Sequence, residues 1–171
     1  KLFIGERETI LKHRIPQPAK VKRDKVFVSY SHKDKKWLER VQTHLKVLKR
    51  LGISVNLWDD TQIKPGMNWR EEIKKGLAAA KVAILLVSTD FLASDFISED
   101  ELPPLLKAAE NDGAIIISLI LKPCLFTMDK KLSEFHTVND PQKPLSKLTE
   151  NEQDEILVEM AQRIAELMQE N

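Results

Sequence analysis

Two runs of consecutive apolar residues constrain this chain most, Val82-Ala83-Ile84-Leu85-Leu86-Val87 and Ala114-Ile115-Ile116-Ile117-Ser118-Leu119-Ile120-Leu121. A strand with one face in water alternates apolar and polar side chains. These runs do not alternate, so both faces need cover, the condition of inner strands of a parallel sheet with helices on each side. The flanking segments supply the helices. Trp37, Leu38, Val41, Leu45, Leu48 and Leu51 recur at three- and four-residue intervals between a start at Asp34 and a stop at Gly52. Short strands are expected on either side, at residues 25–30 and 53–58, and a strand, helix and strand of these lengths implies a right-handed parallel crossover. Asn68 is the expected N-cap of a second helix with Trp69, Ile73 and Leu77 on its apolar, core-facing side. Leu105, Leu106 and Ala109 carry a third helix to about Asn111, with Gly113 ending it, and residues 135–138 suit a short edge strand. Thr149-Glu150-Asn151-Glu152 opens a last helix with Ile156, Leu157, Met160, Ile164 and Leu167 on one face. The expected fold class is α/β: a three-layer, doubly wound, flavodoxin-like domain on a mostly parallel sheet of about five strands.

Residues 1–24 are rich in Lys and Arg and interrupted by Pro16 and Pro18, which suits a basic arm or linker, leaving residues 25–171 as one folded domain. Residue 1 is Lys and the last helical pattern runs to the end, as expected for a piece of a longer protein. Over 171 residues the formal net charge is +1, which gives no electrostatic reason to expect nucleic acid or an acidic membrane as partner. No apolar run approaches the roughly 20 residues that span a bilayer. One cysteine, Cys124, permits no internal disulfide, and a cytoplasmic location is expected. His13, His32, His44 and His136 lack zinc-like spacing, so no metal is expected. The usual phosphate-cradling glycine motifs and the Gly-x-Ser-x-Gly elbow are absent. Acidic residues do not end the first strand, which discounts a phospho-receiver, and Cys124 is expected to pack rather than react.

In doubly wound sheets ligands bind beyond the carboxyl ends of the strands, where strand order reverses. Polar clusters follow three strands here: Ser29-Tyr30-Ser31-His32, Trp58-Asp59-Asp60, and the acidic stretch from Ser88 to Glu101. Residues 59–68 also form a loop longer than usual for a strand-to-helix connection, with a Pro65-Gly66 turn.

Val26-Phe27-Val28-Ser29-Tyr30-Ser31 with a following Asp, Leu57-Trp58-Asp59-Asp60 leading through Ile63 to Pro65-Gly66, Leu86-Val87-Ser88 with Phe91, Leu92 and Ser94, and Glu101-Leu102 resemble the successive motifs of a Toll/interleukin-1 receptor (TIR) domain. The Trp-Asp-Asp and Glu-Leu-Pro-Pro forms are similar to the bacterial branch. The resemblance implies an enzyme that cleaves NAD+ or NADP+ at the nicotinamide ribosyl bond when self-associated, an immune or cell-death effector. NAD+ would be substrate, with no further cofactor, and linear and cyclic ADP-ribose products stay open. Glu101 best matches the essential carboxylate that the resemblance implies. Phe96 lies five residues before it rather than the usual four, so Glu99 and Asp100 remain alternatives. Tyr30, Trp58 and Phe96 are expected to line or stack, with Ser31, Asp59 and Ser88 as polar contacts. The loop bearing Asp60, Ile63, Pro65 and Gly66 would mediate self-association, and a sensor domain or subunit would accompany the domain. The alternative is a non-catalytic module that recruits other TIR domains.

Ser98-x-x-Glu101 is also a capping-box spacing, which would give Glu101 a purely structural role. Pro103 and Pro104 argue instead for a helix break at Leu102 and a restart at Pro103.

Overall fold

The computed structural model describes residues 22–58, 65–99 and 101–170. Strand β1 (Lys25–Ser29) runs through a short 3-10 turn into α1 (Lys35–Arg50) and returns as β2 (Asn56–Trp58). Helix α2 (Trp69–Ala79) leads directly into β3 (Ala80–Val87). Two single-turn helices follow, α3 (Thr89–Leu92) and α4 (Asp95–Ser98), before α5 (Leu102–Asn111), β4 (Ile115–Ile120), β5 (His136–Thr137) and α6 (Glu150–Gln169).

The five strands pair in parallel in the order β2-β1-β3-β4-β5. Strand order therefore reverses between β1 and β3, and this reversal fixes where a site is expected. The two-residue period of a strand divides the apolar runs between two cores. Val82, Ile84 and Leu86 of β3 join Ile117 and Leu119 of β4 against α1 and α6. Ala83, Leu85 and Val87 turn the other way, with Ile116 and Ile120, against α2, α3 and α5. Each fully buried aliphatic side chain contributes about 1.5–3 kcal/mol, so two filled faces hold β3 rigidly and fix the position of its carboxyl end.

Local signals match most boundaries. Asn68 accepts the backbone N–H groups of Arg70 and Glu71 as N-cap of α2, and Thr149 with Glu152 forms a capping box on α6. Gly52 and Gly113 take the positive φ angles that end α1 and α5. The edge strands are shorter than their sequence patterns suggest: β2 begins at Asn56 rather than residue 53, and β5 holds only His136 and Thr137. Each pairs along one side only, so fewer ladder bonds define its ends.

Arg23 belongs to the segment expected as a basic arm. Arg23 is docked, with its guanidinium donating to Leu77 O and Ala80 O at 2.8 Å, to Asp112 O at 3.1 Å and to Asp112 Oδ2 at 2.7 Å. It thereby ties the junction of α2 and β3 to the end of α5. Residues 1–21 lie outside the described part of the chain.

Candidate active site

A cavity of about 620 Å³ opens beyond the carboxyl end of β1, bounded by the first turns of α2 and by the α3–α4–α5 segment. Its volume lies within the range of small-molecule sites. A larger concavity of about 760 Å³ lies between α1 and β2 beside Lys25, at the amino end of β1. No carboxylate among the described residues lines it, and it is on the wrong edge of the sheet for a doubly wound fold.

Glu101 lies in the wall of the first cavity. It occupies the N-cap position of α5 in helical backbone geometry, φ −90° and ψ −43°, and its side chain makes no capping hydrogen bond. The helix restarts at Leu102, one residue before the expected Pro103, because proline is tolerated in a first turn. Helix α4 ends at Ser98 and α5 begins at Leu102. This frees the carboxylate from the helix end and turns it toward α2, where Oε1 pairs with the Arg70 guanidinium. Oε2 is buried with no hydrogen-bond partner among the described residues. An acceptor so placed is costly unless a ligand or water supplies a donor.

Tyr30 and Ser31 line the same cavity, where the backbone leaves β1. Ser31 also accepts the Lys33 N–H, and the Tyr30 ring meets His32 edge-on at 5.7 Å between centroids. Glu99 reaches the cavity from an exposed position, whereas Glu101 is deeper, with 19% of its side chain exposed. Trp58 and Phe96 are placed by backbone only, at the end of β2 and within α4. Asp59, Asp60, Ile63 and Asp100 lie outside the described residues, while Pro65 and Gly66 form an exposed turn with Gly66 at φ +87°.

Ser88 is elsewhere. It is fully buried behind the cavity, donates its hydroxyl to Asp34 Oδ2 and accepts the Phe91 N–H at 3.1 Å as N-cap of α3. With both functions of its hydroxyl used inside the protein, it is not a polar contact of the cavity. Asp34, 1% exposed, also faces Lys122 Nζ at 3.3 Å, an ion pair without hydrogen-bond geometry. This group links the chain leaving β1, β3 and β4.

Two residues of the site were not anticipated. Trp69, expected in the core, is 38% exposed and lines the cavity, and the Arg70 guanidinium lies 5.3 Å from its ring centroid. The available signal was their place in the first turn of α2, which starts on the same rim as the strand ends. Cys124 is partly buried against the core, and burial raises its thiol pKa, which opposes nucleophilic use. Among the described residues no group of three or more His, Cys, Asp or Glu side chains is placed to hold a metal ion, and no helix is long and apolar enough to cross a membrane.

The model of the TIR domain family matches residues 26–155. The chain belongs to the TIR domain family. Within it, this TIR domain is 33% identical over 99 residues to an uncharacterised protein, y4lF, of Sinorhizobium fredii, a stretch covering 58% of this chain and 30% of that protein. It is 30% identical over 127 residues to a probable 2' cyclic ADP-D-ribose synthase, TcpO, of Methanobrevibacter olleyae, covering 64% of this chain and 36% of the relative. The chain thus spans about a third of the length of these curated relatives. A prokaryotic SEFIR domain shares the fold, with a TM-score of 0.55 and 14% identity, covering 86% of this chain and 94% of that chain.

Proposed function

We propose that this TIR domain cleaves NAD+ at the bond between nicotinamide and ribose, with Glu101 as the catalytic carboxylate. One observation carries the proposal: Glu101 lies in the wall of the cavity at the strand-order reversal, with Oε2 buried and without a donor among the described residues. The name of the M. olleyae relative, a probable 2' cyclic ADP-D-ribose synthase, supports chemistry at that same ribosyl carbon.

The reaction asks little of the protein in acid catalysis. As the C1′–N bond breaks, its electron pair passes to the pyridinium nitrogen, and nicotinamide leaves neutral without needing a proton. The barrier lies in the positive charge that develops on the ribose. A fixed carboxylate in a partly desolvated wall stabilises that charge more strongly than water does. The Glu101 carboxylate is the group that accepts ribose hydroxyls in this reading. Attack at C1′ by water yields ADP-ribose and a proton. Attack by a nucleophile of the same molecule yields a cyclic product. Tyr30, Trp58, Trp69 and Phe96 serve as cavity-lining aromatics in this reading, with Ser31 and Asp59 as polar contacts. Self-association through residues 59–68 switches the site on, under control of a sensor domain or partner subunit. The two thirds of each curated relative beyond this match leave room for such a sensor. NADP+ is the competing substrate, and an immune or cell-death effector role follows from NAD+ depletion.

The Arg70–Glu101 pair favours a second reading, in which the pair only fastens α2 to α5 in a non-catalytic module that recruits other TIR domains. Nicotinamide release from NAD+ by concentrated, assembled protein separates the two. Glu101→Gln is expected to lower turnover by about 10²–10³-fold, the scale for removing one transition-state electrostatic contact. Turnover unchanged by the substitution would remove Glu101 from the chemistry, and none in assembled wild-type protein would favour the interaction module.

A further inference from the structure

Arg70 carries the wrong charge for the chemistry it touches. Its guanidinium pairs with Glu101 Oε1, the carboxylate that must face a developing ribosyl cation. A positive charge beside the carboxylate weakens the stabilisation that the carboxylate can give to such a cation. The arrangement therefore suits an empty site better than a working one.

The two partners differ in freedom. Glu101 is 19% exposed and fixed at the start of α5, whereas the Arg70 side chain is 57% exposed at the edge of the cavity. The Trp69 ring beneath the guanidinium gives it a surface along which to move. The nearby backbone donors at the start of α2 are already engaged, since Asn68 Oδ1 accepts the N–H groups of both Arg70 and Glu71. An anion at this edge would thus meet the guanidinium fork, whose paired donors suit phosphate oxygens.

We propose that Arg70 is a specificity-determining residue: it occupies Glu101 while the cavity is empty and exchanges it for the diphosphate of an incoming dinucleotide. This rests on the NAD+-cleaving reading of the cavity. A dinucleotide brings both charges that the exchange needs, an anionic diphosphate for Arg70 and a cationic nicotinamide riboside for Glu101. Nicotinamide riboside alone brings only the second, so it meets a carboxylate still paired with arginine. The ion pair discriminates against substrates without a diphosphate.

The test uses calorimetric binding of ADP-ribose and nicotinamide release from NAD+ and from nicotinamide riboside, with wild type, Arg70→Gln and Arg70→Lys. Arg70→Gln is expected to weaken ADP-ribose about tenfold, the size of one charge-assisted contact. It should also cut the preference for NAD+ over the riboside, as a ratio of kcat/KM, by about tenfold or more. Arg70→Lys keeps the charge but not the fork and should fall between. Unchanged ADP-ribose affinity in Arg70→Gln, or an equal loss on both substrates as a merely structural role would give, overturns the inference while wild-type turnover leaves the cleavage reading standing. If wild type releases no nicotinamide yet Arg70→Gln weakens ADP-ribose, cleavage fails and the diphosphate contact stands. Wild-type protein that binds no ADP-ribose overturns the diphosphate contact outright.

Discussion

Ser88→Ala is expected to destabilise this TIR domain without acting on a ligand directly. The Ser88 hydroxyl donates to the Asp34 carboxylate and accepts the Phe91 N–H at 3.1 Å, and both Ser88 and Asp34 are buried. Among the described residues, alanine leaves a buried carboxylate with only Lys122 opposite it, and it removes the cap of α3. A hydrogen bond to a charged group contributes about 1.5–3 kcal/mol, and an N-cap about 1 kcal/mol. One hydroxyl provides both, so the expected cost is about 2–4 kcal/mol in all. For a domain of this size that lowers Tm by about 5–15 °C. Scanning calorimetry of wild type, Ser88→Ala, Asp34→Asn and the double variant provides the measurement, with a coupling of about 1 kcal/mol or more expected between the two sites. A loss below about 1 kcal/mol, or additive losses, would refute the network. Normal stability with weakened nucleotide affinity would return Ser88 to the role of a ligand contact.

Two further substitutions probe the frame. Arg23→Ala should cost about 2–3 kcal/mol, because two partly buried carbonyls at the α2–β3 junction lose charge-assisted donors; the check is a lower urea midpoint at unchanged slope, and Arg23→Lys should recover little because one ammonium lacks the fork. Burial raises the Cys124 pKa in the folded state, so the unfolded chain releases this proton first and stability falls as pH climbs above about 8.5. Unfolding measured across that range should show a shallower decline in Cys124→Ser, and identical slopes would count against a desolvated thiol.

The fold was legible because its strongest signals are local. Non-alternating β3 and β4, the stripe from Trp37 to Leu48 and the cap signals at Asn68 and Thr149 each name an element without reference to its neighbours. The position of Glu101 beyond the carboxyl ends of the strands was legible too, from the order of the elements. What escaped were properties of pairs distant in sequence. Ser88 and Asp34 are 54 residues apart, and Arg70 and Glu101 are 31 apart. No periodicity relates either pair; the sheet brings together the chain leaving β1 and β3, and the starts of α2 and α5. Trp69 failed for a related reason. Its spacing to Ile73 and Leu77 is that of a core stripe, but as the first residue of α2 it is partly exposed and lines the cavity instead.

Asp34 and Glu101 are two carboxylates on one rim, and their surroundings give them opposite uses. Asp34 has no side-chain exposure, one oxygen bonded to a buried hydroxyl and the other 3.3 Å from an ammonium. Removing its partners damages the protein and gains no room for a ligand. Glu101 retains a route to solvent, one oxygen held by an arginine that is itself mostly in water, and one oxygen with no donor among the described residues. Sequence composition alone does not separate two such acids. The difference arises from what the sheet brings to each: a buried serine and a lysine for Asp34, a largely exposed arginine for Glu101. That contrast supports Glu101 as the carboxylate available for chemistry and Asp34 as the one that keeps the rim in shape.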